Sequence, residues 1–324
     1  MKKTLIAAAV LATVGSTAFA QSAVTMYGRV NVTIERQKAG DADNNWVMQN
    51  NASRLGFKGS EDLGGGLKAG FVLEHRFNIN NGASTNAAFW GGAGQSEVNL
   101  SGGFGMVRLG NFASEAYYAT ADYVSMHNHD TGTSSDAFYA DTRGFRQTNK
   151  VAYRTPSFGG VTLEVAANTT DATDPERTYD VAANYDAGPL HLGAGFQKTD
   201  DARQFAFRAL YELGAFTFGG YVQRDEDVFA AGTRTTFRLS GMYTLGNAEL
   251  HLNFGRAGDY SDRVGSIGDK ASQYTLGANY NLSKRTKVYT FYTRVSGDGA
   301  ATYTGIPSGD GKFSSFAVGV RHNF

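Results

Sequence analysis

Hydrophobic and polar residues alternate along most of this chain with a period of two, in segments of about ten residues. In "YTLGANYNL", one side carries Tyr274, Leu276, Ala278, Tyr280 and Leu282, and the other carries Thr275, Gly277, Asn279 and Asn281. A period of two indicates β-strands, whereas a helical period would place Arg208 of "QFAFRALYEL" among the leucines. The pattern therefore predicts an all-β protein.

The alternating segments number sixteen, and their connections are alternately short and long. Tight turns such as Gly188-Pro189 and Gly246-Asn247 alternate with longer polar connections such as 37–53, 259–271 and 297–312. The predicted strands are 24–36, 54–62, 67–79, 95–102, 105–112, 149–156, 160–170, 177–187, 190–199, 203–213, 216–226, 234–245, 248–259, 272–283, 286–296 and 313–324.

An even number of alternating strands with turns at one end and long loops at the other is typical of an antiparallel transmembrane β-barrel. Every backbone group in hydrocarbon must be paired, and a set of strands achieves this only when it closes. Sixteen strands leave room for an aqueous channel. A soluble sandwich or propeller is the alternative, but the aromatic-rich apolar face recurs in strand after strand, which favours contact with lipid.

The chain ends on "FAVGVRHNF", in which Phe316, Val318, Val320, His322 and Phe324 alternate with small or polar residues. A strand that continues to the last residue needs a partner, because an open edge in a membrane leaves backbone groups unpaired. We therefore expect the final strand to close the barrel against the first, around residues 24–28.

The first twenty residues read as a cleavable export signal. Two lysines precede an apolar run from Leu5 to Val14, and Ala18-Phe19-Ala20 supplies a small-residue cleavage site. We expect a mature chain over 21–324; a retained anchor is the alternative, which the short apolar run disfavours. The chain has no cysteine, so disulfides and thiolate chemistry are excluded. Acidic and basic residues balance at 30 each with no polybasic tail, so nucleic acid is not an expected partner.

Several longer stretches resemble one family of proteins. They are "VTMYGRVN", "SRLGFKGSEDLGGGLKAGFVLE" from Ser53 to Glu74, "YRTPSFGGVTLEV", "YNLSKRTKVYTFY" and the terminal "GVRHNF". Together they resemble the neisserial-type general porins of β-proteobacteria. The resemblance implies a homotrimer in the outer membrane, in contact with its lipid and lipopolysaccharide, that allows ions and small hydrophilic solutes to diffuse passively. It also implies that Phe324 is the signal read by the barrel-assembly machinery.

The longest segment without a strand pattern is 112–148, the third long connection, far above the usual length of about 4–6 residues. The resemblance implies that this third loop folds into the lumen and constricts it. Its charged residues are Glu115, Asp122, Asp130, Asp136, Asp141, Arg143 and Arg146, so acids exceed bases.

Alternation also assigns bases to the inward face of the barrel. The candidate pore-lining basic wall consists of Arg29, Arg54, Lys58, Arg76, Arg108 and Arg154. An acidic loop held opposite a basic wall would set up a transverse field, and charged rings of this kind set ion preference. We hypothesise a weakly anion-selective pore. Alternatively, some of these bases lie near strand ends and contact lipopolysaccharide or solvent.

Other chemistry finds little support in the sequence. His127, His129 and Asp130 lie close together, but with no second cluster they are better explained as a solvated loop than as a metal site. No G-x-S-x-G elbow and no phosphate-binding loop occurs, so we expect no enzyme and no cofactor. A barrel enzyme or a non-conducting adhesin or structural barrel remains as the alternative function.

Overall fold

The computed structural model describes residues 23–85, 89–90, 94–122, 124, 132–144, 146–170, 175–229, 231–261, 270–297 and 311–324. Within these residues the chain forms seventeen strands and three short helical turns. The expected export signal at 1–20 lies outside them. No helix among the described residues is both long and apolar enough to cross a bilayer.

Within the described residues the strands follow one another along the chain, and the other regular elements all lie in the connection after the sixth strand. They are β1 (Ala23–Ala39), β2 (Asn45–Asn50), β3 (Arg54–Gly64), β4 (Leu67–Arg76), β5 (Gln95–Gly102), β6 (Gly105–Ala113), β7 (Arg146–Arg154), β8 (Val161–Asn168), β9 (Thr178–Ala187), β10 (Leu190–Thr199), β11 (Ala202–Leu213), β12 (Phe216–Glu226), β13 (Thr233–Leu245), β14 (Ala248–Ala257), β15 (Ala271–Asn281), β16 (Thr286–Gly297) and β17 (Lys312–Asn323). The helical turns are Glu115–Tyr117 (α), Tyr118–Asp122 (π) and Gly132–Ser134 (3₁₀).

The strands close into one antiparallel barrel. Each strand from β3 onward pairs with the next, and β17 pairs with β1. β2 and β3 act as a single interrupted strand, because β2 pairs with residues 32–37 of β1 and β3 pairs with residues 23–29. When β2 and β3 are counted as one, the barrel has sixteen strands, which confirms the predicted strand number and the predicted closure.

The structure shifts the limits of two predicted loops. Residues 37–53 were expected to form a loop, but β1 continues to Ala39 and β2 returns along it after a short turn. Asn51 and Ala52 then interrupt the strand, and Ala52 adopts a left-handed conformation with φ 59°. The third loop runs from 114 to 145 rather than from 112 to 148, because Arg146 is the first residue of β7 and pairs with Ala113.

The closing pair is offset along the barrel from the prediction. Residues 313–323 of β17 pair with residues 29–39 of β1, and only Phe324 reaches Gly28. The expected partners at 24–27 pair with β3 instead. Closing a barrel of tilted strands requires such a stagger, which the alternation of side chains does not encode.

The two faces of the wall differ as the alternation predicts. Large apolar residues cover the outside, including Leu276 at 58% exposed and Tyr280 at 51%. Asn31, Arg208 and Gln223 on the inner face are at most 1% exposed. Apolar side chains thus face lipid, while the polar side chains are enclosed by the barrel.

The short connections gather at one end, where both Phe324 and the first described residue of β1 also lie. Gly214 and Gly246 begin two-residue turns with φ 59° and 58°, the left-handed conformation that such hairpins require. In barrels of this kind the short turns face the periplasm and the longer loops face outward. This orientation shows which side chains lie nearer the periplasm and which lie nearer the outer side of the membrane.

Candidate functional site

The third loop begins on a buried ion pair. The backbone N–H groups of Glu115 and Ala116 donate to the carboxylate of Asp180 on β9, at 2.8 and 2.9 Å. Lys150 on β7 donates to the same carboxylate at 3.0 Å and to the Ala113 carbonyl, also at 3.0 Å. Both charged side chains are fully buried. One acid–base pair thereby fixes the direction in which the loop leaves β6.

Two glycines of β10 allow the loop to approach the wall closely. A Cβ atom on Gly193 would lie 1.9 Å from the carbonyl oxygen of Ala119, and one on Gly195 would lie 2.7 Å from the Cα of Ala116. Both obstacles are backbone atoms, which cannot rotate away. The helical turns after Glu115 therefore rest directly on the inner face of β10.

An ion-pair cluster holds the first acid of the loop. Arg108 on β6 donates to Glu115, to Glu97 at 2.8 Å and to Glu164 at 2.9 Å. Arg154 on β7 donates to Glu164 and, at 3.3 Å, to Glu115. Arg108 and Arg154 were predicted to stand opposite the loop acids across a pore. They contact Glu115 directly instead, so they position the loop.

A row of glutamines binds the extended part of the loop. Gln273 on β15 accepts from the Ala137 N–H and donates to the Ser135 carbonyl, at 3.1 and 2.8 Å. Gln223 on β12 makes the same pair of contacts with Ala140, at 2.8 and 2.7 Å. Gln197 on β10 accepts from the Thr142 N–H at 2.7 Å. These side-chain amides satisfy the loop backbone much as a neighbouring strand would.

The middle of the loop is secured by one charge and one aromatic ring. Asp136 pairs with Arg238 of β13 at 3.3 Å and accepts a hydrogen bond from Tyr221 at 2.5 Å. Arg238 and Asp136 are 1% and 7% exposed, so the pair is buried. The ring of Phe138 is also buried, in an apolar cluster that it shares with Ala257, Ala271, Val295 and Phe313.

The loop also contacts the interrupted strand. Thr133 donates to Glu35 of β1 at 2.8 Å. A Cβ atom on Gly132 would lie 2.5 Å from the amide oxygen of Asn51, beside the left-handed Ala52. The break between β2 and β3 therefore provides the place at which this part of the loop meets the wall.

The remaining predicted loop residues have separate environments. Asp122 is half-buried in the π-helical turn, and Arg143 donates to the Glu176 carbonyl at 2.5 Å. Burial, together with the nearby Asp180 carboxylate, raises the pKa of the Asp141 carboxyl to about 7. Asp130, with His127 and His129, lies outside the described residues.

A second group of charges, here called the basic arc, lies on five neighbouring strands of the inner face. It comprises Lys287 on β16, Arg321 on β17, Arg29 on β1, Arg54 on β3 and Arg76 on β4. Arg54 lies directly opposite Arg29 on one side and Arg76 on the other, and Lys287 lies opposite Arg321.

The basic arc contains more bases than nearby acids. Glu74 contacts Arg76 at 3.4 Å and Arg54 at 3.7 Å, and Arg29 donates to the amide oxygen of Asn323 at 3.3 Å. All five bases of the arc are partly exposed. Lys58, the remaining predicted wall residue, is exposed and lies 5.4 Å from the centre of the Tyr27 ring.

Three further charges near strand ends also lie on the inner face, at Asp225, Glu249 and Lys287. Asp225 pairs with Arg234 at 3.3 Å, Glu249 lies 3.4 Å from His251, and Lys287 completes the basic arc. All three lie within the predicted strands 216–226, 248–259 and 286–296, at positions that the alternation turns inward. Residues near strand ends are the ones for which the period gives the least support.

The C-terminal residue closes the barrel through its backbone. Phe324 and Gly28 exchange two hydrogen bonds, at 3.0 and 3.1 Å. A Cβ atom on Gly28 would lie 2.4 Å from the Phe324 ring, so the ring covers the glycine on the outer surface. The ring is 40% exposed at the short-turn end.

Comparisons with known proteins agree with this architecture. A family model described as Gram-negative porin matches residues 7–300. Outer membrane porin protein 32 of Delftia acidovorans is 32% identical over an alignment of 370 positions that covers all of both chains. Major outer membrane protein P.IB of Neisseria meningitidis serogroup B is 25% identical over 354 positions, again covering both chains.

A solved structure gives the same result. The anion-selective porin from Comamonas acidovorans superposes with a TM-score of 0.76 at 28% identity, covering 94% of this chain and all of that one. The family and the fold together point to a channel rather than an enzyme, and to the outer membrane as its location. With its closed antiparallel barrel and a family match over most of its length, the chain belongs to the Gram-negative porin family.

Proposed function

We propose that the protein forms a water-filled channel in the outer membrane through which ions and small hydrophilic solutes diffuse passively, with a weak preference for anions. The basic arc is the observation that carries the preference. Like charges placed directly opposite each other on neighbouring strands destabilise a sheet. Their presence at Arg29, Arg54 and Arg76 is explained if the potential they create acts on permeating ions.

We also propose that the third loop narrows the channel beside the basic arc. Its contacts with inward-facing side chains from β9 to β17 and with Glu35 support this arrangement. Low-dielectric walls concentrate the field of a charged cluster at a narrow point. An anion passing the loop would then cross the region where the arc potential is strongest. The similarity to a porin described as anion-selective supports the same sign of preference.

A reversal potential measured in planar bilayers tests the proposal. Under a potassium chloride gradient centred near 0.1 M, we expect a reversal potential that indicates more chloride than potassium permeation. The preference should decline towards 1 M salt, where the screening length falls to about 3 Å. A clear potassium preference near 0.1 M would contradict anion selectivity. Absence of conductance by correctly folded protein would favour an adhesin or structural role instead.

We further propose a homotrimer, as the family resemblance implies. An apolar depression of about 230 Å³ lies on the outer face of β1, β3, β4 and β5, lined in part by Val24, Gly59, Ala69, Phe71 and Val98. The small residues Gly59 and Ala69 leave space for side chains of a neighbouring copy. Conductance steps that occur in groups of three in the same bilayer recordings would support the trimer.

We assign recognition by the barrel-assembly machinery to Phe324. Its partly exposed ring lies on the outer surface at the periplasmic end, and its backbone forms the last contact of the closing seam. An aromatic C-terminus at this position is accessible while the final strand is still unpaired, which fits a role in assembly.

A further inference from the structure

Four bases face outward, towards the membrane, at the long-loop end of three neighbouring strands. They are Arg36 and Lys38 on β1, Arg294 on β16 and Lys312 on β17. All four are exposed, and none makes a side-chain hydrogen bond or ion pair with any of the described residues. Lys38 and Arg294 both lie opposite Ser314, so β17 alone separates them and their Cα atoms are about 10 Å apart.

Three of the bases line one surface depression. It has a volume of about 260 Å³, and Lys38, Arg294 and Lys312 contribute to its wall together with Asp41 and Tyr292. The bases exceed the single acid of this lining, so the depression carries a positive charge. Its dimensions and its three long side chains suit a phosphate group, which accepts several charge-assisted hydrogen bonds at once.

Below the depression, the outer surface carries first a row with aromatic side chains and then rows of aliphatic side chains. The row towards the periplasm contains Trp46, Arg36, Phe316 and Tyr292, and the three aromatic rings are 42–64% exposed. The next rows contain Ile34, Val318 and Val320, which are also exposed. Aromatic residues mark the membrane interface, and aliphatic residues mark the level of the acyl chains. The bases therefore lie at the level of lipid headgroups.

We propose that this face binds a phosphorylated glycolipid of the outer leaflet, with a headgroup phosphate in the depression and acyl chains along the aliphatic rows. The depression is hereafter called the headgroup site. A headgroup that carries phosphate and sugar hydroxyls supplies acceptors for the bases and contacts for Tyr292. The inference rests on the outer-membrane location and is independent of whether the pore prefers anions.

Arg256 of β14 provides a matched control. It also faces outward at the long-loop end, it is exposed, and it makes no hydrogen bond or ion pair with the part of the chain that the structure describes. Its cross-strand neighbours are Phe237 and Ser272, and neither of these is a base. The headgroup site differs from Arg256 in having three bases around one depression.

The test measures binding of bisphosphorylated lipid A to the refolded full-length protein in detergent by native mass spectrometry. A base near an anionic lipid surface contributes roughly fivefold to affinity, so the K38A/R294A/K312A variant should bind about 100-fold more weakly. The R256A variant should stay within about fivefold of wild type. K38R/K312R, which keeps every charge, should bind like wild type. Heat-dependent gel mobility confirms that each variant is folded.

Separate ligands distinguish the sources of phosphate. Dephosphorylated lipid A, phosphatidylglycerol and inorganic phosphate should each bind more weakly than bisphosphorylated lipid A. Equal binding of dephosphorylated lipid A or of phosphatidylglycerol would overturn the glycolipid assignment. An R256A loss as large as that of the triple variant would replace the headgroup site by a diffuse basic belt.

Two further outcomes would also reject the proposal. If the folded triple variant binds lipid A as wild type does, the headgroup site is not the binding site. If it keeps its lipid but no longer assembles into oligomers, the face is an interface between copies. Bilayer conductance of the same variant should be unchanged, because the headgroup site faces the membrane. Loss of lipid binding and loss of conductance therefore test the two proposals independently.

Discussion

Charges on the two sides of the barrel interior are arranged in opposite ways. Where the third loop meets the wall, buried bases contact acids: Lys150 pairs with Asp180, Arg238 with Asp136, and Arg108 with three carboxylates. Along the basic arc, bases lie opposite other bases. A buried charge without a partner is costly, whereas a charge in contact with water is not. The pairing on the loop side is therefore what burial demands.

The comparison assigns different tasks to residues of one type. An arginine that is neutralised in a buried pair contributes little potential at a distance, so its role is to hold the loop. An arginine of the arc lies opposite another base and is partly exposed, so we expect it to contribute less to stability and more to the potential in the channel. The number of arginines on the inner face therefore says less about selectivity than the partner of each one does.

Replacing one arginine from each side of the interior should produce the largest difference in unfolding free energy. Arg238→Gln leaves the buried Asp136 carboxylate with Tyr221 and without its base, which should cost about 3–5 kcal/mol of unfolding free energy. Arg54→Gln in the arc should change stability by less than about 1 kcal/mol, because Glu74 keeps Arg76 as a partner. Urea unfolding in lipid vesicles measures both variants.

In bilayer recordings the larger effect should come from the other variant of the pair. Arg54→Gln should lower the chloride preference near 0.1 M salt, and Arg238→Gln should leave it close to wild type. Equal effects of the two variants on stability and on selectivity would show that the two sides of the interior do not differ in function.

A bulky side chain on β10 should displace the loop with an intermediate effect. Gly193→Val places a Cβ atom within 1.9 Å of the Ala119 carbonyl oxygen, and overpacking of this kind costs about 1–3 kcal/mol. Single-channel conductance should change because the loop can no longer rest on the wall. The control is Gly241→Ala on the outer face, where the nearest atom to the new Cβ is 3.8 Å away, on Phe218. If the two variants conduct alike, the loop does not depend on this contact.

Protonation of Asp141 should give the smallest effect, a shift of stability with pH. The folded pKa is about 7 and the ordinary value is about 4, so between these values the folded protein binds more protons than the unfolded chain. Stability from this group is therefore present at low pH and is lost as pH rises towards 7. Wild type should melt at a lower temperature than Asp141→Asn at pH 8, and the gap should narrow by pH 5. A gap that is constant with pH would contradict the raised pKa.

The sequence predicted the barrel well, because side-chain alternation is a local property. Each strand reports its own two faces, so Leu276 and Tyr280 could be placed outside and Arg208 inside without knowledge of their neighbours. β2 was missed because its apolar residues, Trp46, Val47 and Met48, are consecutive and therefore do not alternate with polar ones.

The details of the site depend on contacts between distant parts of the chain. Nothing local to Asp136 indicates Arg238 as its partner, and the Ala137 backbone binds a side chain 136 residues away. Alternation gave the correct face for Arg108 and Arg154, but the face alone does not distinguish a pore-lining base from one that holds the loop. The stagger that sets the neighbours of Arg29 is likewise a property of the closed cylinder.

The glutamine row has a consequence for the order of events during biogenesis. Gln197, Gln223 and Gln273 all follow the loop in sequence, as does the pocket that receives Phe138. These side chains belong to β10, β12 and β15, so the loop backbone is held only once the strands that carry them have folded. A folding intermediate that lacks any of these strands would therefore leave part of the loop backbone without its side-chain partners.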